Sequence, residues 1–195
     1  MSHFIGLVFG DNVENNLEPY SEHLKVEPYP VYTKQQAIDK AKEIITSGHF
    51  VYGSAMSKEE VEAIHDDKGY YEYAIKMWGY KTDKEGNLIS TYNPHSKWDW
   101  YTEGGRWGGY LPTKYGYNAD NCVVGDVDWG KYFENNQSGP FCFITEDGEW
   151  HETAKMGWWG MTTDDKDEND WREEFETYLK SLDPDTEITA IDFHI

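Results

Sequence analysis

The chain has 195 residues, and its 17 Lys plus Arg stand against 37 Asp plus Glu, a formal charge of −20. With 9 Trp, 15 Tyr and 8 Phe running from Phe4 to Phe193, it is no disordered acidic tail, and its charge disfavours a nucleic-acid backbone and suits a basic partner. No apolar run approaches the roughly 20 residues of a membrane helix, Met1-Ser2-His3-Phe4-Ile5-Gly6 lacks the basic flank of a secretion signal, and Cys122 and Cys142 form no CxxC pair, so a cytoplasmic protein with reduced thiols is expected.

His3 to Phe9 is an apolar run closed by Gly10-Asp11-Asn12, which predicts a buried central strand and a turn. Between Val13 and Tyr32, acids mix with Pro19, Pro28 and Pro30, which predicts an extended surface loop. Thr33-Lys34-Gln35-Gln36 is a capping box before Ala37, Ile38, Ala41, Ile44 and Ile45, a helix ending near Gly48. Ser57-Lys58-Glu59-Glu60 opens a second, short helix with Val61 and Ile64 on one side. Tyr70 to Lys81 alternates loosely and, with Leu88 to Tyr92 across Asp83 to Asn87, predicts a hairpin. A short Asp-capped helix is expected after Asp126-Val127-Asp128-Trp129. Phe141 to Ile144 and Glu149 to His151 flank Glu146-Asp147-Gly148 as a second hairpin. Trp171, Phe175, Tyr178, Leu179 and Leu182 recur at helical spacing over Asp170 to Leu182, and Glu187 to Ile195 reads as a closing strand. With no repeat or linker, these elements make one α+β domain, with a mainly antiparallel sheet, two or three packed helices, and the first and last strands within or beside its centre.

The segment from Lys97 to Gly109, Lys-Trp-Asp-Trp-Tyr-Thr-Glu-Gly-Gly-Arg-Trp-Gly-Gly, is the most unusual. Together with Met1-Ser2-His3-Phe4, Leu17-Glu18-Pro19-Tyr20, Asn93-Pro94-His95-Ser96, Gly125 to Trp129, Met156-Gly157-Trp158-Trp159-Gly160 and Asp192-Phe193-His194-Ile195, it resembles a widespread family of uncharacterised tailed-phage proteins along nearly the whole chain. The resemblance implies a phage or prophage origin, hence the cytoplasm of an infected bacterial host, and brings no mechanism with it. Phage accessory proteins of this size often act against host defence, which by analogy points to inhibitors and to sequestration of nucleotide signals.

On a strand, Trp98 and Trp100 would share one face, and Asp99 and Tyr101 the other. Arg106 follows a Gly pair that lets the backbone turn sharply or approach a ligand. Aromatic faces with a guanidinium stack on a base and clamp a phosphate, so Lys97, Trp98, Trp100, Arg106, Trp107, Trp158 and Trp159 are candidate ligand-binding residues. The competing reading makes the tryptophans core and pairs Arg106 with Asp99, Glu103 or a distant carboxylate.

Asp192 and His194 share a strand face, and His3 begins a neighbouring strand, so the three can converge on a divalent metal or as a carboxylate-oriented general base, with Asp126 and Asp128 as further candidates. The competing reading has hydrogen-bonded histidines at a sheet end and Asp126 as a helix cap, since no zinc signature is present. A third feature is the acidic row of Asp164, Asp165, Asp167, Glu168, Asp170, Glu173, Glu174 and Glu176, which imitates regular phosphates or is simply a solvated helix face.

The leading expectation is therefore a non-enzymatic accessory protein that sequesters a nucleotide-type signal. The alternatives are an acidic nucleic-acid mimic that binds a basic host protein through Asp170, Glu173 and Glu174, and a small metal-dependent hydrolase. Direct nucleic-acid or membrane binding is not expected, and homo-oligomerisation stays open.

Overall fold

The computed structural model describes residues 2–53, 55–156 and 161–195. Strand β1, His3–Phe9, forms where predicted, and Gly10 at φ 94° turns the chain out of it. The expected extended loop is instead opened by helix α1, Val13–Leu17, and a 3-10 turn over Glu18–Tyr20. Pro19 sits in the first positions of that turn, where its missing N–H is not needed, and Leu17 supplies the buried anchor that composition alone concealed.

Strand β2, Tyr29–Tyr32, leads to α2, Lys34–Thr46, whose Thr33 and Gln36 form the predicted reciprocal cap. Ser57 and Glu60 do the same for α3, Lys58–Glu62. The stretch from Tyr70, predicted as a strand, lies in helix α4, Asp67–Trp78. The Asp66 side chain accepts from the Gly69 N–H, Tyr70, Tyr73 and Ala74 are buried at helical spacing, and Gly79 closes the helix in a left-handed conformation. Cap chemistry and the 3.6-residue period here override the strand preference of the aromatics. Strands β3, Lys81–Thr82, and β4, Leu88–Ser90, keep the predicted hairpin.

Beyond it lie β5, Trp100–Glu103; β6, Leu111–Pro112; β7, Asn118–Ala119; and β8, Asn121–Val123. Helix α5, Trp129–Asn135, is capped by Asp128 rather than Asp126. Strands β9, Cys142–Ile144, and β10, Trp150–Glu152, form the second predicted hairpin, with Gly148 at φ 82° in its turn. The short strands β11, Lys155–Met156, and β12, Thr162–Thr163, pair with each other. Helix α6, Glu168–Ser181, capped by Asp167, and strand β13, Glu187–His194, complete the chain.

The α+β class with a mainly antiparallel sheet is as predicted, and six α-helices form among the described residues. The contacts group the chain into two compact units, Lys25–Tyr92 and Met1–Leu24 with Asn93–Ile195. In the first, α2 and α4 bury Ala37, Ile38, Ala41, Tyr73 and Ala74 with Leu88 of a three-stranded sheet ordered β2-β4-β3.

The second carries the candidate site. Its sheet is ordered β10-β9-β1-β13-β5, with β8 pairing the other end of β13; only β9 runs parallel to β1. The first and last strands thus pair at the centre over seven residues, from His3 with His194 to Phe9 with Ile188. Alternation along them feeds two cores. Ile5, Leu7, Phe9, Ile188 and Ala190 pack with Phe143 against α5 and α6, through Tyr132, Trp171 and Phe175. Phe4, Val8, Ile191 and Phe193 pack on the other face with Leu17 of α1, each buried side chain contributing roughly 1.5–3 kcal/mol. Three helices, α1, α5 and α6, therefore pack on this sheet, while the predicted helices opened at Thr33 and Ser57 belong to the other unit. Among the described residues, no helix is long and apolar enough to cross a membrane.

Candidate functional site

The register of β1, β13 and β5 builds the site. His3 faces His194 across one strand pair and His194 faces Trp100 across the next, so three rings make one row at an end of the sheet. The next row on that face is Ile5, Asp192 and Thr102. Trp100 stacks on His194, with centroids 4.9 Å apart and planes 15° apart. His3 meets His194 edge-on at 4.9 Å and Trp100 at 5.2 Å.

A carboxylate orients each imidazole. His3 Nδ1 lies 2.7 Å from Asp192 Oδ1, and His194 Nδ1 lies 2.5 Å from Asp99 Oδ1. A carboxylate accepts, so each Nδ1 donates and each Nε2 is left for another partner. Asp192, only 2% exposed, accepts at Oδ2 from the backbone N–H of Arg106 at 3.0 Å. That approach requires Gly105: it has φ 53°, and a Cβ there would stand 2.5 Å from Asp192 Oδ2. His194 is 5% exposed, and its Nε2 is buried without a hydrogen-bond partner, alone among the described residues. Leaving such an atom unpaired costs about 1–3 kcal/mol, so a fold retains it only where something else holds it.

The predicted terminal cluster thus does assemble, as two His–Asp dyads. Each Nδ1 is turned toward a carboxylate, and among the described residues no group of three or more His, Cys, Asp and Glu side chains is arranged to hold a metal ion. Asp126 and Asp128 are engaged elsewhere, the first accepting from the Tyr115 hydroxyl and the second capping α5. Asp99 was foreseen only as a partner for Arg106, because sequence adjacency said nothing of His194, 95 positions away. The Gly pair makes the backbone permissive from sequence alone; the contact of Gly105 with Asp192 depends on the strand register.

The aromatic segment divides. The Trp98 indole N–H donates to the Leu17 carbonyl, and its ring packs with Tyr101 beside Phe4 and Phe193. Trp98 and Trp100 therefore do not share a face as expected: regular pairing begins only at Trp100, and Asp99 reaches the Trp100 side to meet His194. Trp107 packs half-buried against the core below α5 and α6. Lys97 is held by Glu152 at 2.6 Å beside a separate cavity of about 190 Å³. Trp100 remains 45% exposed, and Arg106 is exposed with no ion pair among the described residues, so neither pairing with Asp99 nor pairing with Glu103 occurs. Trp158 and Trp159 lie outside the described residues.

The acidic row is partly occupied. Asp167 caps α6, Asp164 pairs with Lys155, Glu174 with Lys166 and His151, and Glu176 with Arg172 and Lys180. Burial raises the Glu174 carboxyl, but hydrogen bonds from Lys166 and His151 outweigh it and hold the group below its usual range. Asp170 and Glu173 stay exposed and without ion pairs among the described residues. Both thiols are free, and burial pushes each of them up, well up at Cys142, which leaves them poor nucleophiles.

Comparison of the chain with known family models, curated proteins and solved structures finds no match.

Proposed function

We propose that the chain binds a nucleotide-type small molecule at the His3, His194 and Trp100 end of its central sheet. In line with the resemblance to tailed-phage proteins, this binding withdraws a nucleotide signal from a host defence system. The observation that carries the reading is Trp100: a large ring, half exposed, backed in parallel by a buried imidazole. Such a ring is a platform for a base, and stacking of this kind is worth about 1–3 kcal/mol. Arg106 follows on the loop anchored to Asp192, and its guanidinium is free to meet a phosphate in fork geometry. The charge of −20 repels a long polyanion, whereas a ligand with one or two phosphates needs only local compensation.

The test is calorimetry, or native mass spectrometry, of the whole chain against a panel of cyclic and linear nucleotides. Binding to at least one class is expected. Trp100→Ala should weaken it about 5- to 150-fold, the range set by the stacking energy, and Arg106→Ala should weaken it while the fold is retained. A folded protein that ignores the panel, or unchanged affinity in both variants, removes the reading.

A further inference from the structure

The platform does not explain what lies beneath it. Two imidazoles in edge contact, each with Nδ1 committed to its own carboxylate, have their chemistry at Nε2, and that of His194 is buried with nothing to bond. A purely structural histidine at a sheet end would spend both nitrogens or leave one in water. A carboxylate behind Nδ1 fixes the tautomer and steadies the imidazolium that forms when Nε2 takes a proton.

We propose that His3 and His194 are an acid–base pair that opens a ribose phosphodiester without a metal. This rests on the nucleotide-binding reading and names its substrate class: a ribonucleotide diester whose 2′-hydroxyl is free. In the step, the 2′-oxygen attacks phosphorus while its proton passes to Nε2 of one histidine. The bond between phosphorus and the 5′-oxygen breaks, and the leaving oxygen takes a proton from Nε2 of the other histidine, which begins protonated. The products are a 2′,3′-cyclic phosphate and a 5′-hydroxyl; one ring has gained the proton the other lost, and exchange with water resets the pair. No oxidant, metal or further reactant enters.

The centroid spacing of 4.9 Å lets both rings reach oxygens of one phosphate. Access is through Trp100. It lies on the edge strand β5, half exposed; its backbone is fixed opposite His194, but its indole N–H has no hydrogen-bond partner among the described residues, so only ring contacts with His194 and His3 hold the side chain in place. A bound base that draws the Trp100 ring aside opens the face of His194 that the indole covers.

The experiment incubates the full chain, in EDTA, with cyclic and linear 3′–5′ ribonucleotide diesters and with their 2′-deoxy counterparts. Products are read by liquid chromatography and mass spectrometry, and binding by calorimetry. The expected result is conversion of a ribonucleotide to a 2′,3′-cyclic phosphate, no conversion of its bound deoxy counterpart, and a bell-shaped pH profile. His3→Asn and His194→Asn should each cut the rate at least about 100-fold, and His3→Ala should be partly rescued by added imidazole, which a structural role would not give. A ribonucleotide that binds and stays intact overturns this inference and leaves the binding reading standing. Cleavage of the deoxy compound, or cleavage abolished by EDTA, overturns it as well, and failure of the whole panel to bind overturns both.

Discussion

Replacing Gly105 with Ala probes the site through its backbone. The residue has φ 53°, a left-handed conformation that costs a non-glycine residue about 1 kcal/mol. The new Cβ would stand 2.5 Å from Asp192 Oδ2, 2.6 Å from Asp192 Cβ and 2.8 Å from Thr102 Cγ2, inside contact distance of all three. Asp192 cannot swing away, because its other oxygen holds His3 at 2.7 Å, so the loop must lift. Lifting breaks the Arg106 N–H bond to a buried carboxylate, a loss of about 1.5–3 kcal/mol. The sum with residual strain is about 3–5 kcal/mol, or roughly 6–20 °C in the melting transition of the unit that contains the site. Urea unfolding followed by tryptophan fluorescence measures the first figure and calorimetry the second. A loss below about 1 kcal/mol would show that the loop accommodates a methyl group freely, and the account of Asp192 as a clamped anchor would fall.

Other expectations are simpler to check. Phe175→Ala, at the junction of α6 with the sheet, should cost about 3–5 kcal/mol in the same urea experiment; a cost near that of a surface substitution would mean the helix is not seated on this core. Trp100→Ala should cost less than Phe175→Ala, because Trp100 is 45% exposed and its ring contacts add only about 0.5–1.5 kcal/mol to the burial of its covered half; a loss as large as that of Phe175→Ala would make Trp100 a core residue. Glu174 and Glu176 titrate below their ordinary value of 4.5, Glu174 because two hydrogen bonds outweigh burial and Glu176 chiefly through its bond from Arg172. The stability they contribute is present above that value and is lost as pH falls through their folded values, so Glu174→Gln should flatten the acid decline in urea midpoint; an unchanged decline counts against these bonds. Cys142, fully buried with its thiol pushed up, should resist a thiol reagent until the protein unfolds, and prompt labelling of the native chain would contradict the packing.

What the sequence revealed follows from the range of the signals involved. The caps at Thr33 and Ser57 and the turn at Gly148 are local chemistry, written within four residues, and each forms where the residues predict. The strand expected from Tyr70 failed because loose alternation and aromatic content also suit a helix with one buried stripe, and Asp66 and Gly79, which decide the matter, lie outside the aromatic run. Leu17 illustrates another limit: a single buried anchor among acids and prolines holds a helical turn, and composition averages it away. Convergence of His3, Asp192 and His194 was legible because all three lie on strands whose alternation fixes a face. The Asp99–His194 bond was not, since it depends on β5 docking beside β13 in one register, and the same docking sends Trp98 and Trp100 to opposite faces. Residues foreseen as a ligand cluster were thereby sorted into supports, Trp98, Trp107 and Lys97, and the exposed pair, Trp100 and Arg106.

The distribution of cost across the sheet points the same way as the site chemistry. At its middle, Leu7, Val8, Phe143 and Ala190 are buried with their ladder bonds made, and nothing there is strained or left unpaired. At the end where β1 begins and β13 finishes, the chain accepts a left-handed Gly pair, a buried carboxylate, a buried histidine, a second imidazole whose side chain is largely covered and one unsatisfied ring nitrogen. Apolar residues at positions 3, 192 and 194 would build that end more cheaply, since a buried ion pair is often no more stable than well-packed hydrophobes of the same size. Locally unfavourable choices that cluster at one edge of an otherwise consistent fold mark the place where stability yields to a task. The Trp100 and His194 stack sits in the middle of that cluster, so a ligand that satisfies Nε2 gains affinity from that bond, and the gain appears as greater stabilisation at a given free ligand concentration. Comparing ligand-induced stabilisation of the wild type with that of His194→Asn at equal free ligand concentration measures that gain, and equal stabilisation would confine the ligand to the outer face of Trp100.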